Sequence, residues 1–169
     1  FIIASRFSSA KIIHISTDYI FDGRTGNYDE TSKPNPLSFY GKSKLASENA
    51  LHVSGVEYFI ARTIVLYGTG INVKSNFALW LIKNLEQNLP VKIVDDQFSN
   101  PTLVDDLAQG ILSAIELDRL GTYHLAGRDI IHRYAFALCL AQLFDFDPNL
   151  IMPIKSSQLL QPAPRPMKS

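Results

Sequence analysis

Lys11-Ile12-Ile13-His14-Ile15-Ser16-Thr17-Asp18 is the stretch that decides the fold. Its first five residues are a short run rich in β-branched side chains, which predicts a buried strand over residues 11–15. The run ends in two hydroxyls and a carboxylate, at the place where the carboxyl end of a parallel strand opens into a ligand crevice. The plainer reading of Ser16-Thr17-Asp18 is a polar strand end that satisfies its own turn. A Gly/Asn/Pro-rich loop follows from Gly23 to Pro36. Pro34 and Pro36 bar helix there, and Ser38 is placed to cap a helix beginning near Phe39.

That helix opens with Tyr40-Gly41-Lys42-Ser43-Lys44. Tyr40 and Lys44 are four positions apart and share one helical face. An ammonium beside a phenol favours the tyrosinate, which makes Tyr40 a candidate proton donor or acceptor near neutral pH. Alone, Tyr-x-x-x-Lys is a weak pattern, because such pairs commonly lie on solvated faces.

The remaining sequence alternates strand-like and helix-like pieces. Residues 57–61, 91–94 and 122–126 read as strands. Residues 77–83, 104–117 and 132–144 read as helices, the last stopped before Asp147-Pro148. Strand and helix in alternation predict an α/β fold of βαβ units around a parallel sheet. The Pro-rich end from Gln161 to Met167 reads as an irregular connection. No internal repeat or low-complexity tract interrupts the pattern.

Several motifs, in order, resemble the extended short-chain dehydrogenase/reductases, and within them the dTDP-4-dehydrorhamnose reductase branch. These are Ser16 through Gly23, the Tyr28/Glu30/Pro36 loop, and Tyr40 through Glu48. Arg62-Thr63 with Tyr67-Gly68, Asp95-Asp96-Gln97 with Pro101-Thr102, Asp105 through Ala108, Gly121 through Gly127 and Arg165-Pro166 complete the series. The resemblance covers nearly the whole chain. It implies part of a Rossmann-like doubly wound parallel sheet with a small C-terminal substrate-side region, residues 1–169 forming one partial NAD(P)-binding domain. It implies reduction of a nucleotide-sugar 4-ketone with NADPH or NADH. Tyr40 would protonate the developing alkoxide. Lys44 would assist it and hold the nicotinamide ribose. Thr17 would hold the substrate oxygen, with Ser16 as neighbour or substitute on the cofactor side, and Asp18 and Tyr19 would line the sugar site.

One departure bears on substrate choice. The branch carries a tryptophan two positions after its Arg-Thr pair, near the sugar. Val65 stands there in Arg62-Thr63-Ile64-Val65, and an aliphatic side chain offers no flat stacking surface. Two alternatives therefore accompany the reductase reading. One is an epimerase or dehydratase of the same superfamily, which would share Tyr40 and Lys44. The other is a non-catalytic subunit resembling the regulatory beta subunit of methionine adenosyltransferase, since a fold does not dictate a function.

The nine glycines form no Gly-x-Gly-x-x-Gly, and Gly68-Thr69-Gly70 lacks the third. Such a turn cradles the pyrophosphate in dinucleotide folds. The expectation is an internal fragment, starting in what resembles the helix before the Ser16-Thr17-Asp18 strand and ending just after Arg165-Pro166. Expressed alone it would bind cofactor poorly and turn over little.

Composition closes other routes. Sixteen basic and 16 acidic residues give a net charge of zero, so no bulk field favours nucleic acid or an anionic membrane. No run is long and apolar enough to span a bilayer, and Phe1 to Arg6 lacks the charged lead of a signal peptide. Cytoplasm is the default expectation, and the resemblance adds a possible homodimer. One cysteine excludes an internal disulfide and a Cys-based zinc cluster. Cys139 is expected in the core, Trp80 on a buried helix face, His14 and His124 as core histidines, and His52 in solvent. Arg62 at its strand end suits a phosphate or a structural ion pair equally. Asp95-Asp96, without a spaced third ligand, reads as a loop rather than a metal site.

Overall fold

The computed structural model describes residues 10–159 and 163–168. Phe1 to Arg6, and Gln161 and Pro162 within the Pro-rich end, lie outside them. Three parallel strands form the main sheet in the order β1 (Ile12–Thr17), β2 (Tyr58–Thr63), β7 (Gly121–His124). Helix α1 (Phe39–His52) connects β1 to β2, the parallel crossover that the alternation predicts. The Ser38 hydroxyl caps α1 by accepting from the Gly41 amide at 3.1 Å. Gly41 is required there, because a Cβ would stand 2.1 Å from the Tyr19 carbonyl oxygen. The helix therefore rests on the short turn that follows β1.

Helix α3 (Val104–Glu116) packs Leu107 and Ala114 against Phe59 and Ala61 of β2. It starts without a side-chain cap, but Asp105 and Asp106 in its first turn complement the helix dipole.

A second layer is built from a parallel pair, β4 (Val91–Val94) with β9 (Ile151–Ile154), and helices α2 (Phe77–Glu86) and α4 (Arg133–Leu143). Ala78, Leu81, Leu85, Ile93, Ala137 and Ile151 are among the residues of its continuous core. Short pairs join the two layers: β3 (Leu66–Tyr67) with β6 (Thr102–Leu103), and β5 (Phe98–Ser99) with β8 (Ile131–His132).

Three expectations need correction. The first strand is not buried throughout: Ile13 and Ile15 are 38% and 46% exposed. Among the described residues β1 pairs only with β2 and so lies at the edge of the sheet. Trp80 is 42% exposed, because Ala78, Leu81 and Leu85 take the inward face of α2. Cys139 is exposed for the same reason, with Phe136, Ala137, Leu140 and Ala141 facing inward on α4. Residues 163–167 of the Pro-rich end are irregular, and Lys168 just after them bridges to Phe98.

Candidate active site

The carboxyl end of β1 and the first turns of α1 bring the expected residues to one end of the sheet. Lys44 Nζ donates to the Ile15 carbonyl oxygen at 2.7 Å. One turn earlier in α1, Tyr40 is half-exposed and sets its ring edge-on to Tyr19, centroids 5.7 Å apart. Thr17, buried, accepts from the Tyr19 amide at 3.3 Å and donates to Asp18 Oδ1 at 2.9 Å. Thr17, Asp18, Tyr19, Tyr40 and Lys44 thus occupy one strand end and the helix turns against it. Burial raises the Tyr19 phenol, an effect that nearby Arg165 opposes.

Ser16 points elsewhere. Its hydroxyl donates to Glu48 Oε1, a fully buried carboxylate two turns beyond Tyr40 in α1. Arg62 of β2 grips the same carboxylate through Nε at 3.1 Å and Nη2 at 2.8 Å. The register explains the convergence: Ser16 pairs with Arg62, and Arg62 with His124 of β7. His124 Nε2 lies 3.4 Å from Arg62 Nη1, and the His124 amide donates to Glu30 at 2.8 Å. Burial, then the Arg62 charge, holds the His124 imidazole below its ordinary pKa, although Glu30 opposes that shift. Of the two expectations for Arg62, the structural ion pair is realised. Glu48 is not among the residues the sequence singles out, because nothing in a helical Glu signals burial. The signal available was a hydroxyl and an arginine at aligned positions of two strands joined by its helix.

Beside this row lies a cavity of about 240 Å³, lined by Asp18, Phe21, Tyr28, Thr63, Asn100 and His124 among others. A smaller cleft that shares Asp18 with this cavity is lined also by Tyr19, Val65, Arg133, Arg165 and Pro166. Burial, then the charge of Arg165, lowers the Arg133 pKa, so the two cations share one field. The Arg133 guanidinium also sits 5.2 Å from the centre of the Phe77 ring. Val65 has φ of 41°, a conformation unusual for a β-branched residue. Its carbonyl accepts from the Thr102 amide at 3.1 Å, which ties the turn down.

The other candidates have structural occupations. His14 is half-buried with Nε2 unpartnered, and burial together with Lys44 lowers its pKa. His52 is exposed against Tyr58. Asp95 pairs with Lys155 at 2.8 Å, and Asp96 accepts from the Ser156 amide and hydroxyl. Among the described residues no group of three or more metal-ligating side chains gathers, and no helix is long and apolar enough to cross a membrane.

The RmlD substrate binding domain family model matches residues 3–169. The chain belongs to that family. The dTDP-4-dehydrorhamnose reductase of Mycobacterium tuberculosis is 34% identical over 164 residues, 92% of this chain and 53% of that protein. A solved dTDP-4-dehydrorhamnose reductase from Clostridium acetobutylicum superposes with a TM-score of 0.90 at 36% identity, covering 98% of this chain and 58% of that one. Another, from Bacillus anthracis in complex with NADP, gives 0.88 at 33% identity, with 94% and 56% covered. The chain therefore spans a little over half the length of these relatives. The α/β fold expected from the alternation, and the Rossmann-like sheet that the resemblance implied, are those of these structures.

Proposed function

We propose that these residues form the catalytic and substrate-side part of an NADPH- or NADH-dependent reductase acting on a nucleotide-sugar 4-ketone, of the dTDP-4-dehydrorhamnose reductase kind. The observation that carries this reading is Lys44 reaching the carboxyl end of β1 one helical turn from Tyr40, with Thr17 at the same strand end. The donor set suits a nicotinamide ribose. An ammonium has three donors, and the Ile15 carbonyl uses one, which leaves two for sugar hydroxyls. Ser16 stands beside this end with its hydroxyl proton committed to Glu48, so toward a cofactor it can only accept.

A reduced nicotinamide held there by Lys44 would supply hydride for the carbonyl carbon. Tyr40 gives its phenolic proton to the oxygen that gains the electron pair, so ketone, hydride and proton become one secondary alcohol. The Lys44 charge stabilises the tyrosinate left behind, and solvent returns the proton to a side chain that is half-exposed. Thr17 turns its hydroxyl from Asp18 to the substrate oxygen. Asp18 and Tyr19 line the sugar, while Arg133 and Arg165, which line the same cleft, supply positive charge suited to a diphosphate. Val65 gives the sugar an aliphatic neighbour.

The test is NADPH and NADH oxidation by the full-length chain with dTDP-4-dehydrorhamnose. Steady turnover supports the reading. Cofactor binding without turnover on this or related 4-keto sugars would remove it and favour a non-catalytic subunit.

A further inference from the structure

Glu48 has zero exposure, yet its carboxylate is surrounded by donors from two strands. Ser16 belongs to β1 and immediately precedes Thr17. Arg62 belongs to β2 and immediately precedes Thr63. Glu48 itself is one turn beyond Lys44 and two beyond Tyr40 in α1. Residues spaced by four lie near one another on a helix face. One carboxylate thus joins the helix of the proton donor to the strand of the substrate-oxygen residue, and joins both to the next strand. The row continues through His124 to Glu30 on the long loop.

We propose that Glu48 is a positioning residue: it fixes the rotation and depth of α1 on the sheet, and thereby where Tyr40 and Lys44 stand relative to Thr17. The proposal rests on the reductase reading above. Two features distinguish it from an incidental core ion pair. Gly41 lets α1 approach the Tyr19 carbonyl without a spacer, so contact at the amino end of the helix sets closeness but not rotation. Lys44 bonds a main-chain carbonyl of β1, and that bond needs the helix face turned as Glu48 turns it. A bidentate arginine grip is directional and suited to that task.

The experiment compares wild type, Glu48→Gln and the double variant Glu48→Met/Arg62→Met in the full-length chain. An uncharged pair of similar volume can replace a buried ion pair without loss of stability, so the double variant tests position apart from folding. Three readouts are taken: kcat and KM, thermal stability, and labelling of Lys44 by an amine reagent relative to Lys42, followed by mass spectrometry. A misplacement of about 1 Å costs up to about a hundredfold in rate. The expected result is a kcat lowered about tenfold or more in both variants, with KM for the sugar within about twofold, and increased Lys44 labelling. The stability of the double variant should stay near wild type. Wild-type kcat and Lys44 labelling in the double variant would overturn the proposal and leave Glu48 a core ion pair only. If wild type itself does not reduce the sugar, the reductase reading fails, and Lys44 labelling alone decides whether Glu48 sets the helix.

Discussion

The two layers of this molecule bury different things. Around β4, β9, α2 and α4 the interior is a continuous apolar cluster, with Leu81 and Ala137 at zero exposure. In the β1–β2–β7 layer the buried set includes Ser16, Thr17, Glu48, Arg62 and Thr63. Buried polar groups cost stability unless they are paired, and here most are paired across strands and helix. A layer that only needed to fold would use apolar residues at those positions. The polar layer is where geometry is specified, and the apolar layer holds its neighbour's cleft wall, including Arg133, in place.

The comparison can be broken first at Tyr40. Tyr40→Phe should lower kcat by about 10²–10⁴-fold, the usual range for a lost general acid. Because the side chain is half-exposed, thermal stability should hardly change. Turnover near wild type would remove Tyr40 from the chemistry. Leu81→Ala is the converse: a fully buried side chain in the apolar layer, whose truncation should cost about 2–5 kcal/mol. Denaturant unfolding should register that loss, while any folded fraction keeps a normal Tyr40-dependent rate. Proportionate losses of kcat and stability would show that the layers are not separable.

Gly41→Ala lies between these two. Its Cβ would clash with the Tyr19 carbonyl oxygen, so α1 must shift away from the strand end. Both stability and kcat should fall, the latter by about tenfold or more for a displacement near 1 Å. A stability loss with unchanged kcat would mean that the approach of α1 does not matter to the site.

The smallest effect concerns Asp22, in the loop after β1. The Tyr28 hydroxyl, with the Arg24 amide and the Asn35 side chain, lowers the Asp22 pKa to about 2. A carboxyl depressed in the folded state stabilises above its unfolded pKa and loses that contribution as pH falls through the folded value. The contribution should therefore fade between about pH 4 and pH 2. Asp22→Asn should flatten the acid limb of the melting temperature over that window, and identical pH profiles for variant and wild type would contradict it.

Much of this was legible in the sequence. The β-branched run of β1, the Ser38 cap and the Tyr40/Lys44 spacing each obey a local rule, and α3 and β4 fall within a residue of their expected bounds. Strand β9 was not legible, since Pro153 argues against a strand. The structure tolerates it in a two-stranded pair, where β9 needs only one partner. The two-residue strands β3, β5, β6 and β8 are too short to carry a periodicity. Cys139 and Trp80 were misplaced because an apolar helix stretch does not reveal which face turns inward. Glu48 was missed because its burial depends on the register of Ser16 with Arg62, a long-range fact that no local pattern encodes.

The most direct test of the central claim follows the hydride. The full-length chain is incubated with dTDP-4-dehydrorhamnose and NADPH deuterated at the nicotinamide C4 position that donates, and the product is read by mass spectrometry and NMR. The account predicts one deuterium, at sugar C4, with one cofactor oxidised for each alcohol formed. A product altered in configuration or dehydrated without net cofactor oxidation would contradict it and assign Tyr40 and Lys44 to an epimerase or dehydratase instead.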